Sequence, residues 1–134
     1  MENKKVKEIV YKNYYHRELC DSGKCFGFNY YIINLGYHPL AYVEIPKNHP
    51  YYGIHYDYIE EDIPVHGGLT YSEPHLYLSD DEKLDKSWFI GWDYAHYGDY
   101  TGYFHREDDE KFTIEKIRED VLKCTKILFE MEDK

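Results

Sequence analysis

The sequence predicts an α+β fold: one domain in which an antiparallel sheet is followed by a C-terminal amphipathic helix packed on one face. Three observations predict it. Short runs rich in tyrosine, isoleucine and valine, punctuated by glycine, proline and Asp/Ser turns, fill most of the chain before residue 100. Ile114, Ile117, Val121, Leu122, Cys124, Ile127, Leu128 and Met131 then recur at steps of three and four, the only sustained helical period present. A length of 134 residues suffices for one ordinary core and is too short for two, so the domain spans residues 1–134.

Taken in order, Val6 to Leu19 carries β-branched and aromatic residues behind a Lys/Glu-rich start and reads as a first strand. Asp21-Ser22-Gly23-Lys24 has turn chemistry, which would set Cys20 and Cys25 across a hairpin. Cys25 to Leu35 reads as a largely buried strand ended by Gly36, and Leu40 to Ile45 as another, closed by Pro46, which removes a ladder donor. Residues 46 to 64 form a long connection with too many Tyr and Ile to be disordered, expected to pack on the sheet as a lid or wall. Leu69 to Tyr71 leaves Gly67-Gly68 as a short strand, and Ser79 to Lys86 is a charged turn or a single helical turn. Ser87 to Tyr94 is the most apolar strand, with Gly91 marking a bulge or a close contact. Asp108 to Lys111 is a charged hinge into the helix of about Thr113 to Met131, N-capped by Thr113 and carrying Glu115 in its first turn.

The charge balance, 26 acidic against 16 basic residues for a formal −10, repels phosphate backbones and argues against nonspecific nucleic-acid binding. No run reaches the roughly 20 apolar residues a membrane span needs. Three cysteines, with no Cys-x-x-Cys pair and a charged rather than apolar stretch over Met1 to Glu8, point to a reducing cytoplasm. The 17 tyrosines each bring a polar end that must reach water or a partner, so some are expected at the surface or around a cavity. Homo-oligomerisation is left open by all of this.

Chemistry-bearing residues gather between Val65 and Asp99. His66, Asp93, His96 and Asp99 supply two imidazoles and two carboxylates, a set suited to a divalent transition metal such as zinc, manganese or iron, although no resident cofactor is expected. Alternatively His66 bonds a loop while Asp93 and Asp99 cap turns, or Asp93 with His96 forms an acid-base pair dried by surrounding aromatics. Ser72 and Thr70 lack the strained elbow or oxyanion motif of a nucleophile. A ligand site would use His66, Gly67, Gly68, Thr70, Trp92, Asp93, His96, Tyr97 and Asp99: aromatic faces stack on a base, carboxylates accept from ribose hydroxyls, and the Gly67 and Gly68 amides cradle an anion. Lys47, His49, His55 and Arg106 are nearby cations able to offset such an anion.

His-Pro-Tyr-Tyr-Gly at 49–53, Val-His-Gly-Gly-Leu-Thr-Tyr at 65–71 and Trp-Phe-Ile-Gly-Trp-Asp-Tyr-Ala-His-Tyr-Gly-Asp at 88–99 resemble, in order, motifs of a family of small proteins from tailed phages and prophages. The resemblance covers about residues 38 to 99. Trp92 and Tyr94 stand where that family has Phe and Cys, so no thiol role carries over. It implies a phage setting, inside the host cell, and no particular chemistry. Residues and resemblance together rank a binder of a nucleotide-like, ribose- or phosphate-bearing small molecule first, in that setting a counter-defence sponge for a host immune signal. A small metal-dependent or acid-base hydrolase of such a molecule stands second, and an acidic decoy that blocks a host protein third; whether the chain is an enzyme stays open.

Overall fold

A computed structural model describes residues 6–13, 15–77, 83–84 and 87–132. Its elements are β1 (Glu18–Cys25), β2 (Phe28–Asn34), β3 (Pro39–Ile45), a 3-10 turn at Tyr56–Tyr58, β4 (Tyr71–Glu73), β5 (Leu76–Tyr77), β6 (Lys83–Leu84), β7 (Trp88–Asp93) and α1 (Ile114–Glu132). Five strands form one sheet in the order β1-β2-β3-β7-β4, antiparallel throughout, and β5 pairs with β6 apart from it. The chain is therefore α+β as the pattern predicts, with α1 against one sheet face.

Register places the apolar residues in period two. Tyr30 pairs with Val43 and Val43 with Ile90, and one step along Ile32 pairs with Ala41 and Ala41 with Trp92. These rows join Ile117, Val121, Cys124 and Leu128 of α1 in the main core. Ile33, Tyr42 and Phe89 point the other way, into a second cluster with Leu76. Because β7 lies between β3 and β4 and is covered on both faces, its sequence is the most continuously apolar of the strands. Gly91 sits in regular pairing without a bulge, and its role is close contact: a Cβ there would lie 2.5 Å from the Tyr42 ring.

The helix starts where capping predicts. Thr113 Oγ1 accepts the Lys116 N–H at 3.1 Å, satisfying one of the free first-turn donors. Leu122 departs from the expected stripe and is 52% exposed. It follows Val121 by one 100° step, off the buried face, whereas Thr125, four residues beyond Val121, is fully buried and returns its hydroxyl to the Val121 carbonyl at 2.8 Å.

Three expectations are corrected. Residues 21–24 are not a turn but the middle of β1, and the two-residue turn is Phe26-Gly27, both at positive φ (50° and 85°), so Cys20 and Cys25 lie on one strand rather than across a hairpin. Asp21 is held in the strand by long-range partners: it accepts from Tyr30 Oη at 2.9 Å and from Arg118 Nε on α1 at 2.7 Å. Residues 6–13 and 15–17 carry no regular strand; the amides of Lys7, Lys12 and His16 donate to the carbonyls of Cys20, Gly36 and Leu35, lashing the segment across the sheet margin. The short strand expected at Leu69 to Tyr71 begins at Tyr71 as β4. The charged turn expected at 79–86 falls outside the described residues apart from 83–84, which are extended in β6. The 46–64 connection does form a wall, with Ile59 and Ile63 in the main core.

Replacing Ile117 or Leu128, both fully buried, with Ala should cost about 2–5 kcal/mol in urea denaturation, and an unchanged midpoint would show α1 loosely docked. A second expectation concerns alkali. Burial pushes the Tyr42 phenol up to about 12, and burial with the hydrogen bond to Asp62 does the same for Tyr51. Unfolded tyrosine ionises near 10, so the unfolded chain loses these protons first; stability present below pH of about 10 is lost as pH rises toward the folded values. Denaturation midpoints should fall on going from pH of about 9 to about 11, and equal midpoints would contradict the burial of these phenols.

Candidate functional site

The sheet brings the chemistry-bearing residues together at one end. Tyr71 of β4 pairs with Gly91 of β7, and the Thr70 amide donates to the Gly91 carbonyl at 2.9 Å, so the stretch entering β4 runs beside the stretch leaving β7. His66 thereby meets residues 93–99. Its Nε2 lies 2.8 and 3.0 Å from the two carboxylate oxygens of Asp99, whose side chain is 4% exposed. Asp99 Oδ2 also accepts the backbone N–H of His96 at 3.0 Å, closing the 96–99 turn. Asp93 accepts from Thr70 Oγ1 (3.2 Å) and from the Ala95 N–H (3.1 Å), and stands 3.3 Å from His96 Nε2. The two imidazole rings are 5.6 Å apart. The four residues singled out in the sequence thus converge.

Their surroundings fix them. The His66 ring lies parallel to Tyr94 at 4.9 Å and against Phe112 at 4.6 Å. Tyr94 accepts from Trp92 Nε1 at 2.9 Å and donates to Asp120 of α1 at 2.6 Å, and burial together with that bond pushes its phenol well above the ordinary range. The Gly67 Cα is packed against the His96 ring: a Cβ there would come 2.0 Å from Nε2, a nitrogen that is enclosed and lacks a hydrogen-bond partner among the described residues. With φ at 68°, Gly67 is also in left-handed backbone, so both of its features need glycine.

Several expected roles change. Trp92 is 1% exposed with its indole N–H spent on Tyr94, so it belongs to the core and offers no face to a ligand. The Gly68 amide donates to the Val65 carbonyl at 2.9 Å, closing a turn instead of cradling an anion. Asp99 is occupied by His66 and the His96 amide, and Asp93 by the Thr70 hydroxyl and the Ala95 amide. Among the described residues no three His, Cys, Asp or Glu side chains are grouped to hold one metal ion. Of the cations, His49 is buried, accepts the Tyr51 N–H on Nδ1 at 3.0 Å and donates from Nε2 to the Leu128 carbonyl at 2.9 Å; His55 caps the 3-10 turn through the Asp57 N–H, and Lys47 is exposed on the loop after β3. The Ser72 hydroxyl accepts from the Tyr56 amide at 3.0 Å.

What remains open is a cleft of about 490 Å³ beyond Asp99, shaped by the 95–109 loop. Tyr97 and Phe104 on its lining are 89% and 86% exposed. Arg106, on the same lining, donates to Tyr97 Oη at 2.8 Å and sits 5.2 Å from that ring's centre. Backbone bonds of Glu110 to Gly98 and of Tyr100 to Glu110, both 2.8 Å, close the base of the loop. Phe104, Phe112 and Asp120 were not legible as site residues, since nothing local marks which aromatic stays outside or which helical acid turns inward. Comparison with known proteins returns no matching family model, curated protein or solved structure.

Gly67→Ala should lower stability by more than about 1 kcal/mol through the left-handed backbone alone and should displace the His96 ring, read as shifted imidazole signals in ¹H–¹⁵N spectra. Unmoved signals and unchanged stability would contradict the packing of Gly67 on His96.

Proposed function

We propose that the chain binds a nucleotide-like small molecule in the cleft of the 95–109 loop. The observation that carries this reading is the exposure of Tyr97 and Phe104 on a lining that also holds Arg106. Two aromatic faces left to water on one concave lining make a stacking platform, and base–aromatic stacking contributes about 1–3 kcal/mol per base. The guanidinium at the same lining supplies a fixed cation for a phosphate oxygen, in a protein whose overall charge is strongly negative. Beneath the cleft, the His66–Asp99–His96 bonds hold the turn carrying Tyr97, so the platform is ordered before a ligand arrives. In the phage setting that the family resemblance implies, such a chain would act as a sponge for a nucleotide signal of host defence.

The second reading, turnover, rests on one pair. A buried Asp99 carboxylate holding His66, which lines a separate cleft of about 420 Å³ with Glu110, Lys116 and Asp120, is the arrangement of a general base.

Titration calorimetry with adenosine monophosphate tests the first reading. Saturable binding is expected, with Tyr97→Ala, Phe104→Ala and Arg106→Ala each weakening it about tenfold, equivalent to about 1.4 kcal/mol. Absence of binding to that nucleotide and to its cyclic and dinucleotide forms, or equal affinity in all three variants, would overturn it. Conversion of the nucleotide to product by the wild type, lost in His66→Gln, would put the hydrolase in its place.

A further inference from the structure

The outer face of α1, away from the loop cleft, leaves an apolar stripe in solvent. Leu122 is 52% exposed, and Phe129, seven residues on and so on the same side of the helix, is 42% exposed. The ring of Phe26, also exposed, leans on Phe129 with 5.5 Å between centroids. Phe26 holds this place against its backbone preference: its φ of 50° is left-handed, in a turn position where Asn or Gly would be relaxed and polar. We propose that this face is an interface between two copies of the chain, docked helix to helix and antiparallel about a two-fold axis at Leu122.

Charge selects a second copy as the occupant. Of the α1 cations, Lys116, Arg118 and Lys123 each have an acidic partner within the chain, Glu110 at 2.7 Å, Asp21 at 2.7 Å and Asp120 at 4.0 Å. Lys126, and Glu119 on the other side of Leu122, are exposed and form no ion pair among the described residues. Positions 119, 122, 126 and 129 follow one another at steps of three and four and share one face. An antiparallel crossing at Leu122 reverses their order in the second copy. Glu119, one turn before the crossing, then meets Lys126 of the second copy, one turn after it, and the two-fold axis repeats the pair. A parallel approach would instead set Glu119 against Glu119 and Lys126 against Lys126, repulsive on both sides of Leu122. The stripe is thus complementary to itself in one orientation, as an isologous contact requires. From Glu119 to Phe129 it runs about 15 Å along the helix, so the contact is small for a protein pair and the association it gives is weak and reversible.

Sedimentation velocity of the full chain from about 5 µM to about 500 µM tests this, because dimerisation follows mass action. The wild type is expected to pass from a species of 16.3 kDa toward one of twice that mass as concentration rises. Leu122→Glu should weaken association at least tenfold, and so should Lys126→Glu, which makes both charge pairs repulsive. Combining Glu119→Lys with Lys126→Glu rebuilds both pairs with reversed sign and should restore association to within about threefold of the wild type. All three positions are exposed, so an unchanged thermal midpoint at low concentration verifies that each variant keeps the fold. Tyr97→Ala should leave association unchanged, which separates this face from the loop cleft. A wild type that stays monomeric throughout the range, equal association in Leu122→Glu, or a double variant as weak as Lys126→Glu would overturn the proposal.

Discussion

The architecture of the functional end depends on one buried carboxylate. Asp99 holds His66 from the stretch before β4 and the His96 amide from the stretch after β7, so a single side chain ties together two segments 33 residues apart. Burying an anion costs several kcal/mol unless it is paired, and both Asp99 oxygens lie within hydrogen-bond distance of His66 Nε2. That pairing determines where the loop departs, and with it the outward placement of Tyr97, Phe104 and Arg106. Tyr94 stacks on the same imidazole and donates its hydroxyl hydrogen bond to Asp120, linking the arrangement to α1.

The distribution of tyrosines follows from the same physics. Those whose hydroxyl finds a carboxylate, a carbonyl or another hydroxyl are taken inward: Tyr30 on Asp21, Tyr71 on the His75 carbonyl, Tyr94 on Asp120. Tyr97 is held at the surface with its hydroxyl accepting from Arg106 and the guanidinium over its ring, and it stays 89% exposed. An acidic chain can still present a cation at a loop, as Arg106 does.

How much of this was legible varied with the range of the determining interaction. The helix was legible because its period is local, and Thr113 as its cap because capping is local too. The convergence of His66, Asp93, His96 and Asp99 could be anticipated because glycines and apolar runs lead into each. The β1 turn was misplaced because Asp21 looks like a turn residue until Arg118, 97 positions later, and Tyr30 claim it. Trp92 was taken for a ligand platform because alternation in β7 marks which residues share a face but not that both faces are covered. The Gly67 backbone, expected to cradle an anion, is instead approached closely by His96.

The central claim is that the loop carrying Tyr97, Phe104 and Arg106 is the place where a nucleotide is held. Amide chemical-shift mapping of ¹⁵N-labelled protein during titration with adenosine monophosphate tests it most directly, because it reports location as well as binding. The account predicts saturating shifts concentrated at residues 95–109, with small changes at His66. Shifts confined to residues 6–11 and 111–118, or none at saturating nucleotide, would contradict it.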